Sequence, residues 1–168
     1  MTSPNCNKPR IAFFSGTFDP FTRGHESIVL RTLDFVDEVV VAIGINPDKK
    51  PLFSLQARLK WIEQVFAHEP RVKVISYDGW SVDAAALCGA CCMVRGVRSP
   101  ADFAYEQEIA FFNHNASGID TIMLCALPGE VDISSTQVRN LIAQNADLSP
   151  FMPRNAAQHL HILLHDLK

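Results

Sequence analysis

Four short segments of this 168-residue chain concentrate residues suited to handling phosphate groups. The first, Gly16-Thr17-Phe18-Asp19-Pro20-Phe21-Thr22-Arg23-Gly24-His25, follows a β-type run and leads into a helical one. Gly16 permits close backbone approach, and Gly24 leaves the helix entrance open to a bulky anion. A helix N-terminus presents free N–H groups and the positive end of its dipole, which favours phosphate there. His25 is placed to donate to a phosphate oxygen. A purely structural account is also available, in which Asp19-Pro20 turns the chain, Thr22 caps the helix and His25 is incidental. The segment is neither a Walker loop nor the G-x-G-x-x-G dinucleotide fingerprint.

The second segment, Asn46-Pro47-Asp48-Lys49-Lys50-Pro51-Leu52-Phe53, carries two lysines, mobile point charges that either steer an anion or are merely solvated. The third, Arg95-Gly96-Val97-Arg98 running on to Asp102-Phe103-Ala104-Tyr105-Glu106, places two arginines at a strand end. Burying such charges without partners is costly, and a polyphosphate would satisfy both. The fourth, Ile133-Ser134-Ser135-Thr136-Gln137-Val138-Arg139, puts hydroxyls just ahead of a helix. There they cap its N–H groups, bind a phosphate beside them, or do both.

The elements that must position these segments alternate strand and helix. Strands are expected at residues 10–14, 38–45, 71–77, 91–94 and 121–126, on β-branched or alternating apolar patterns. Helices are expected at residues 25–35, 55–67, 81–88, 101–112 and 135–143, with a last one over 153–167. The stretch Glu38–Ile45 (EVVVAIGI) is nearly continuously apolar, as a strand covered on both faces should be. The pattern predicts an α/β fold: a Rossmann-like, doubly wound, five-stranded parallel sheet with a C-terminal helix. Such sheets bind ligands outside the carboxyl ends of their strands, where strand order reverses. All four segments follow expected strands.

Composition limits the alternatives. The length suits one domain, residues 1–168, with Met1–Pro9 read as a frayed leader without an apolar signal region. A net charge of −3 argues against broad contact with nucleic acid, and no apolar run is long enough for a membrane helix. Five cysteines, an odd number, fit reduced thiols in a cytoplasm. Cys88, Cys91, Cys92 and Cys125 lack the spacing of a zinc finger and are expected to pack as small hydrophobes. His159, His161 and His165 are assigned to a packed or solvated terminal helix.

The first segment resembles the Thr-x-Gly-His form of the HxGH/TxGH nucleotidyltransferase superfamily signature, and the four together, in order and near spacing, resemble the phosphopantetheine adenylyltransferase family. The resemblance implies transfer of the adenylyl group of ATP to 4′-phosphopantetheine, with release of pyrophosphate. It implies His25 as transition-state stabiliser and Lys49 as the residue holding the acceptor phosphate. On the ATP side it implies Thr17, Phe18, His25, Gly96, Val97, Arg98, Glu106, Glu130, Val131, Asp132, Ile133, Ser134, Ser135 and Thr136. On the acceptor side it implies Thr17, Lys49, Ser81 and Arg95. It further implies Mg²⁺ carried mostly by ATP and water, no protein metal cage, and a homohexamer. Two departures stand out: Glu130 lies near the position where family members commonly carry an aromatic associated with adenine, and Gly79-Trp80-Ser81-Val82-Asp83 differs from the usual Leu-rich form. A relative acting on nicotinamide mononucleotide or glycerol phosphate, and a non-catalytic nucleotide sensor, are the competing readings.

Overall fold

In the computed structural model, which describes residues 8–167, five parallel strands form one sheet in the order β3-β2-β1-β4-β5. They are β1 (Ile11–Gly16), β2 (Glu38–Ile45), β3 (Val72–Asp78), β4 (Cys92–Val97) and β5 (Asp120–Cys125). The connecting helices are α1 (Arg23–Thr32), α2 (Leu55–Val65), α3 (Ser81–Leu87), α4 (Pro100–Ser117) and α5 (Ser135–Ala143). Residues 1–7 of the expected leader lie outside the described part.

The β2 run is apolar throughout because both its faces are covered. Val39, Val41 and Ile43 join one core with Trp61, Ile62, Phe21 and Val29, while Val40 and Ala42 join a second with Phe13, Val82 and Met93. Strand order reverses at β1, which pairs with β2 on one side and β4 on the other. The crevice at its carboxyl end is therefore the topological switch point of the sheet.

Several boundaries differ from expectation. β4 runs three residues further, because Arg95, Gly96 and Val97 continue the ladder opposite Met123, Leu124 and Cys125. Arg95 and Gly96 thus project from the strand rather than follow it. Gly96 eases the packing there: a Cβ would stand 3.1 Å from Ile28 Cγ1, so any other residue would push the Ile28 side chain aside where α1 lies on β4. α4 starts at Pro100, with the Ser99 hydroxyl accepting from Asp102 N–H, and stops at Gly118, whose φ of 73° ends it. The expected last helix is broken into a 3₁₀ segment, Arg154–His159, and α6 (His161–Asp166). That break carries both Ala156 and Leu163 into the core. Of these four cysteines, Cys92 is buried, Cys88 is partly buried against the second core, and Cys91 and Cys125 are exposed, so the core-packing account applies to Cys92 and in part to Cys88. Burial pushes the Cys92 thiol up to about 12. Among the described residues no helix is long and apolar enough to cross a membrane.

Candidate active site

A cleft of about 910 Å³ opens at the switch point. It is walled by the ends of β1 and β4, the N-termini of α1 and α5, and the loop after β2. All four segments read from the sequence meet there.

The loop leaving β1 turns sharply. Phe18 takes a φ of 47°, a left-handed conformation unusual for an aromatic residue, and Gly16 makes room, since a Cβ would stand 2.8 Å from the Phe18 ring. The ring is buried and packs on Phe14 and Phe21. These three aromatics also surround the His25 imidazole, with centroids 5.1–6.2 Å away.

Thr22 caps α1, in agreement with the structural account, and the same contact defines the histidine. The Thr22 backbone N–H donates to His25 Nδ1 at 3.0 Å. Nδ1 must be unprotonated to accept, so the neutral ring carries its proton on Nε2. Burial, with Arg98 and Arg95 adding repulsion, lowers its pKa to about 3. His25 is a neutral N–H donor at physiological pH. The folded pKa lies below the ordinary 6.5, so the stability contributed by the neutral ring is complete above pH 6.5 and lost as pH falls toward about 3. His25→Gln, which does not titrate, should flatten that acid slope. Urea midpoints measured from pH 7 to pH 4 check this, and parallel curves for the two proteins would contradict it.

Cations converge on the same space. Lys49 Nζ stands 3.5 Å from Thr17 Oγ1. Arg95 grips Glu106 with two bonds, Nε to Oε2 at 2.6 Å and Nη2 to Oε1 at 2.8 Å, and donates a third to Ser15 O at 2.6 Å. Arg98 engages Asp102 through Nε at 2.9 Å and lines the cleft with its side chain 41% exposed, open to a ligand. In all, five Lys and Arg side chains line the cleft against three carboxylates, although the chain as a whole is net negative. The two helix N-termini add to that positive field.

At α5 the three hydroxyls divide their work. Ser134 is the N-cap and accepts from Gln137 N–H at 3.1 Å, whereas Ser135 Oγ donates to Pro20 O at 2.8 Å. Thr136 Oγ1 accepts from Arg139 at 3.0 Å, and Arg139 also reaches Asp19 O at 2.6 Å.

Of the residues singled out in the sequence, Thr17, Phe18, His25, Lys49, Arg95, Gly96, Val97, Arg98, Glu106, Glu130, Ile133, Ser134, Ser135 and Thr136 line the cleft. Ser81, Val131 and Asp132 do not. Ser81 opens α3, which follows the edge strand β3, two strands from β1. Val131 and Asp132 are exposed in the turn after β5, and from that turn only Glu130 reaches the cleft, with its carboxylate 3.9 Å from Arg23 Nε. Sequence reasoning passes over Asp19 and Arg58. The sign for Asp19 is its place inside the phosphate segment; Arg58 gives none, being one charged residue on an amphipathic helix.

Fold, switch-point cleft and cationic lining define a nucleotidyltransferase, and the cytidylyltransferase-like family model matches residues 13–141, from β1 into α5. Proteins named phosphopantetheine adenylyltransferase match along most of their length. The one from Porphyromonas gingivalis is 47% identical over 87% of this chain and 95% of its own. That from Phocaeicola vulgatus is 49% identical over 86% and 95%, and that from Rhodopseudomonas palustris 40% over 90% and 95%. The chain belongs to the phosphopantetheine adenylyltransferase family. Among solved structures, a bifunctional NMN adenylyltransferase/ADP ribose pyrophosphatase from Francisella tularensis, complexed with AMP and a manganese ion, shares the fold. It has a TM-score of 0.64 and 18% identity over 88% of this chain, which spans 45% of that longer one.

Proposed function

We propose that the protein transfers the adenylyl group of ATP to 4′-phosphopantetheine, giving dephospho-coenzyme A and pyrophosphate, a step of coenzyme A biosynthesis. The observation that carries the mechanism is a neutral His25, its proton on Nε2, in one cleft with Lys49 on one side and Arg95 and Arg98 on the other.

The acceptor phosphate is already an anion, so in-line attack on the α-phosphorus needs no general base. The catalytic problem is to hold two anions together and to stabilise charge as it grows on the α-phosphoryl oxygens. Lys49 and Thr17 steer the acceptor phosphate. Arg98, Ser135 and Thr136 hold the departing pyrophosphate beside the α5 N-terminus. His25 donates from Nε2 to the α-phosphoryl oxygen. A neutral donor suits this role because its bond strengthens as negative charge develops, and a neutral imidazole keeps its Nε2 proton at working pH.

Mg²⁺ fits as an ion carried by the triphosphate. Among the described residues no three His, Cys, Asp or Glu side chains converge to hold a metal. Two of the three cleft carboxylates are engaged by protein donors: Asp19 accepts backbone N–H groups and Glu106 is gripped by Arg95. The ion would supply charge neutralisation on the phosphates, while the side chains orient them.

The reading extends to a cytoplasmic homohexamer. α4 supports assembly: only Glu106 and Asn113 are buried along its 18 residues, while Phe103, Tyr105, Phe111 and Phe112 are exposed. Four exposed aromatic side chains along one helix favour a protein partner over a free surface. Sedimentation velocity should report a six-protomer mass, and Phe111→Glu should lower it; a monomer at micromolar concentration contradicts the proposal.

Incubation with ATP, Mg²⁺ and 4′-phosphopantetheine, read by mass, should yield dephospho-coenzyme A. The same assay with nicotinamide mononucleotide, glycerol phosphate and CTP should yield no product. Turnover of one of those instead, or tight ATP binding with no turnover of any acceptor, would overturn the assignment.

A further inference from the structure

Residues 46–52, which carry Lys49, are exposed and belong to neither strand nor helix. They rejoin the fold at Phe53, which is 1% exposed. Beside them runs the loop bearing Thr17, from the neighbouring strand. Nothing in the sheet fixes the distance between two such loops beyond the ends of their strands.

Two buried charged side chains do so. Asp19 is 5% exposed, and its carboxylate accepts the Leu52 N–H at 2.8 Å on Oδ2 and the Phe53 N–H at 2.9 Å on Oδ1. Arg58, also 5% exposed, spans the same gap from α2, donating from Nε to Phe53 O at 3.0 Å and from Nη1 to Thr17 O at 2.7 Å. Arg139 braces the Asp19 carbonyl at 2.6 Å from α5.

We infer that Asp19 and Arg58 are positioning residues that lock the Lys49 loop to the Thr17 loop, so that the lysine is set beside the threonine before any ligand arrives. This rests on Lys49 being the residue that meets the acceptor phosphate. The chemistry requires these two side chains. Two successive amides need two acceptor oxygens on one group, which a carboxylate offers and an amide does not. Bridging two carbonyls needs a rigid fork of donors, which arginine has and lysine lacks. Lysine also carries high conformational entropy, and a fixed backbone beneath it lowers the cost of ordering it on the ligand.

The test is a double-mutant cycle. Asp19→Asn keeps one acceptor and turns an NH₂ group toward the second N–H. It should lower kcat/KM for 4′-phosphopantetheine by about ten- to a hundredfold, the scale expected for a catalytic group displaced by about 1 Å, with ATP affinity nearly unchanged. In a Lys49→Ala background the same change should cost less than about threefold, because nothing is left to position. Val29→Ala, a core change remote from both loops, should combine additively with Lys49→Ala. Equal losses from Asp19→Asn in both backgrounds would reduce Asp19 to a stability role. If Asp19→Asn does not fold, Arg58→Lys replaces it in the cycle with the same expectation. Hydrogen exchange at the Leu52 and Phe53 amides, measured without substrate, tests the lock independently of turnover. It should quicken about tenfold or more in Asp19→Asn, which loses an acceptor for those amides, and also rise in Arg58→Lys, which frees the Phe53 carbonyl beside them. Unchanged exchange overturns the inference. A wild-type protein that fails to turn over the acceptor overturns the functional reading and leaves the exchange result standing.

Discussion

Replacing His25 by alanine should lower kcat by about 10²–10³-fold, the range for losing one donor aimed at developing charge, about 2.7–4 kcal/mol. ATP affinity should stay within about threefold, because the donor bond gains strength mainly in the transition state. The structure supplies the reason for so large an effect from a neutral group. Nδ1 is occupied by the Thr22 N–H, and Phe14, Phe18 and Phe21 surround the ring, so its aim is fixed before substrate arrives. Water taking its place would have neither the orientation nor the dry surroundings. Single-turnover rates with calorimetric ATP titration check the split. If kcat held and only KM rose, His25 would be a uniform binder and the transition-state role would fail.

Arg95→Ala should have the second-largest effect, on both stability and activity. Arg95 is part-buried with 24% of its side chain exposed, and Glu106 with 11%, in a two-bond pair. Truncation leaves the Glu106 carboxylate and the Ser15 carbonyl without their donor. Breaking a buried pair in this way costs about 3–5 kcal/mol, and the partial exposure brings the expectation here to about 2–3 kcal/mol. It also turns an unneutralised carboxylate toward the space that must accept phosphates, so KM for both substrates should rise steeply. Adding Glu106→Gln should recover much of the thermal stability without restoring turnover. Arg95→Lys should recover little of either, since a point charge cannot make the fork. Melting temperatures and steady-state constants for the four proteins test this. If activity returned with Glu106→Gln, Arg95 would matter only as the partner of Glu106.

Much of this protein is legible along the chain because the deciding forces are local. The both-sides-covered character of Glu38–Ile45 is written in its unbroken apolar run, and the structure places it between two cores. The start of α5 at Ser135 follows from the hydroxyl ahead of it, which caps the helix as a local rule requires. The phosphate-handling segments are visible for a related reason. Glycines, hydroxyls and basic residues just past strands have few structural uses, and the switch-point rule says where such ends converge. Where residue pattern and structure part, the competing forces are non-local. A charged residue and a glycine end the apolar run of β4 before Arg95, yet pairing with β5 carries the strand through both. Resemblance carries Ser81 toward the cleft, but it opens α3, whose Val82 and Ala85 pack over Phe13 and Met93, and it stays outside the cleft lining.

By itself, then, the sequence determined the alternation of strand and helix, the parallel sheet, and the four segments that handle phosphate. Periodicity, capping and backbone permissiveness act within a few residues. Only the tertiary structure decided the state of each charge. That His25 is neutral with its proton on Nε2, that Arg95 is gripped by Glu106 while Arg98 stays open, and that Asp19 and Arg58 fasten two loops are facts of distance in space. Arg95 meets Ser15 across 80 residues and Arg139 meets Asp19 across 120. Electrostatic and hydrogen-bond energies fall with separation in ångströms, not along the chain, so no pattern in the residue order could reveal them.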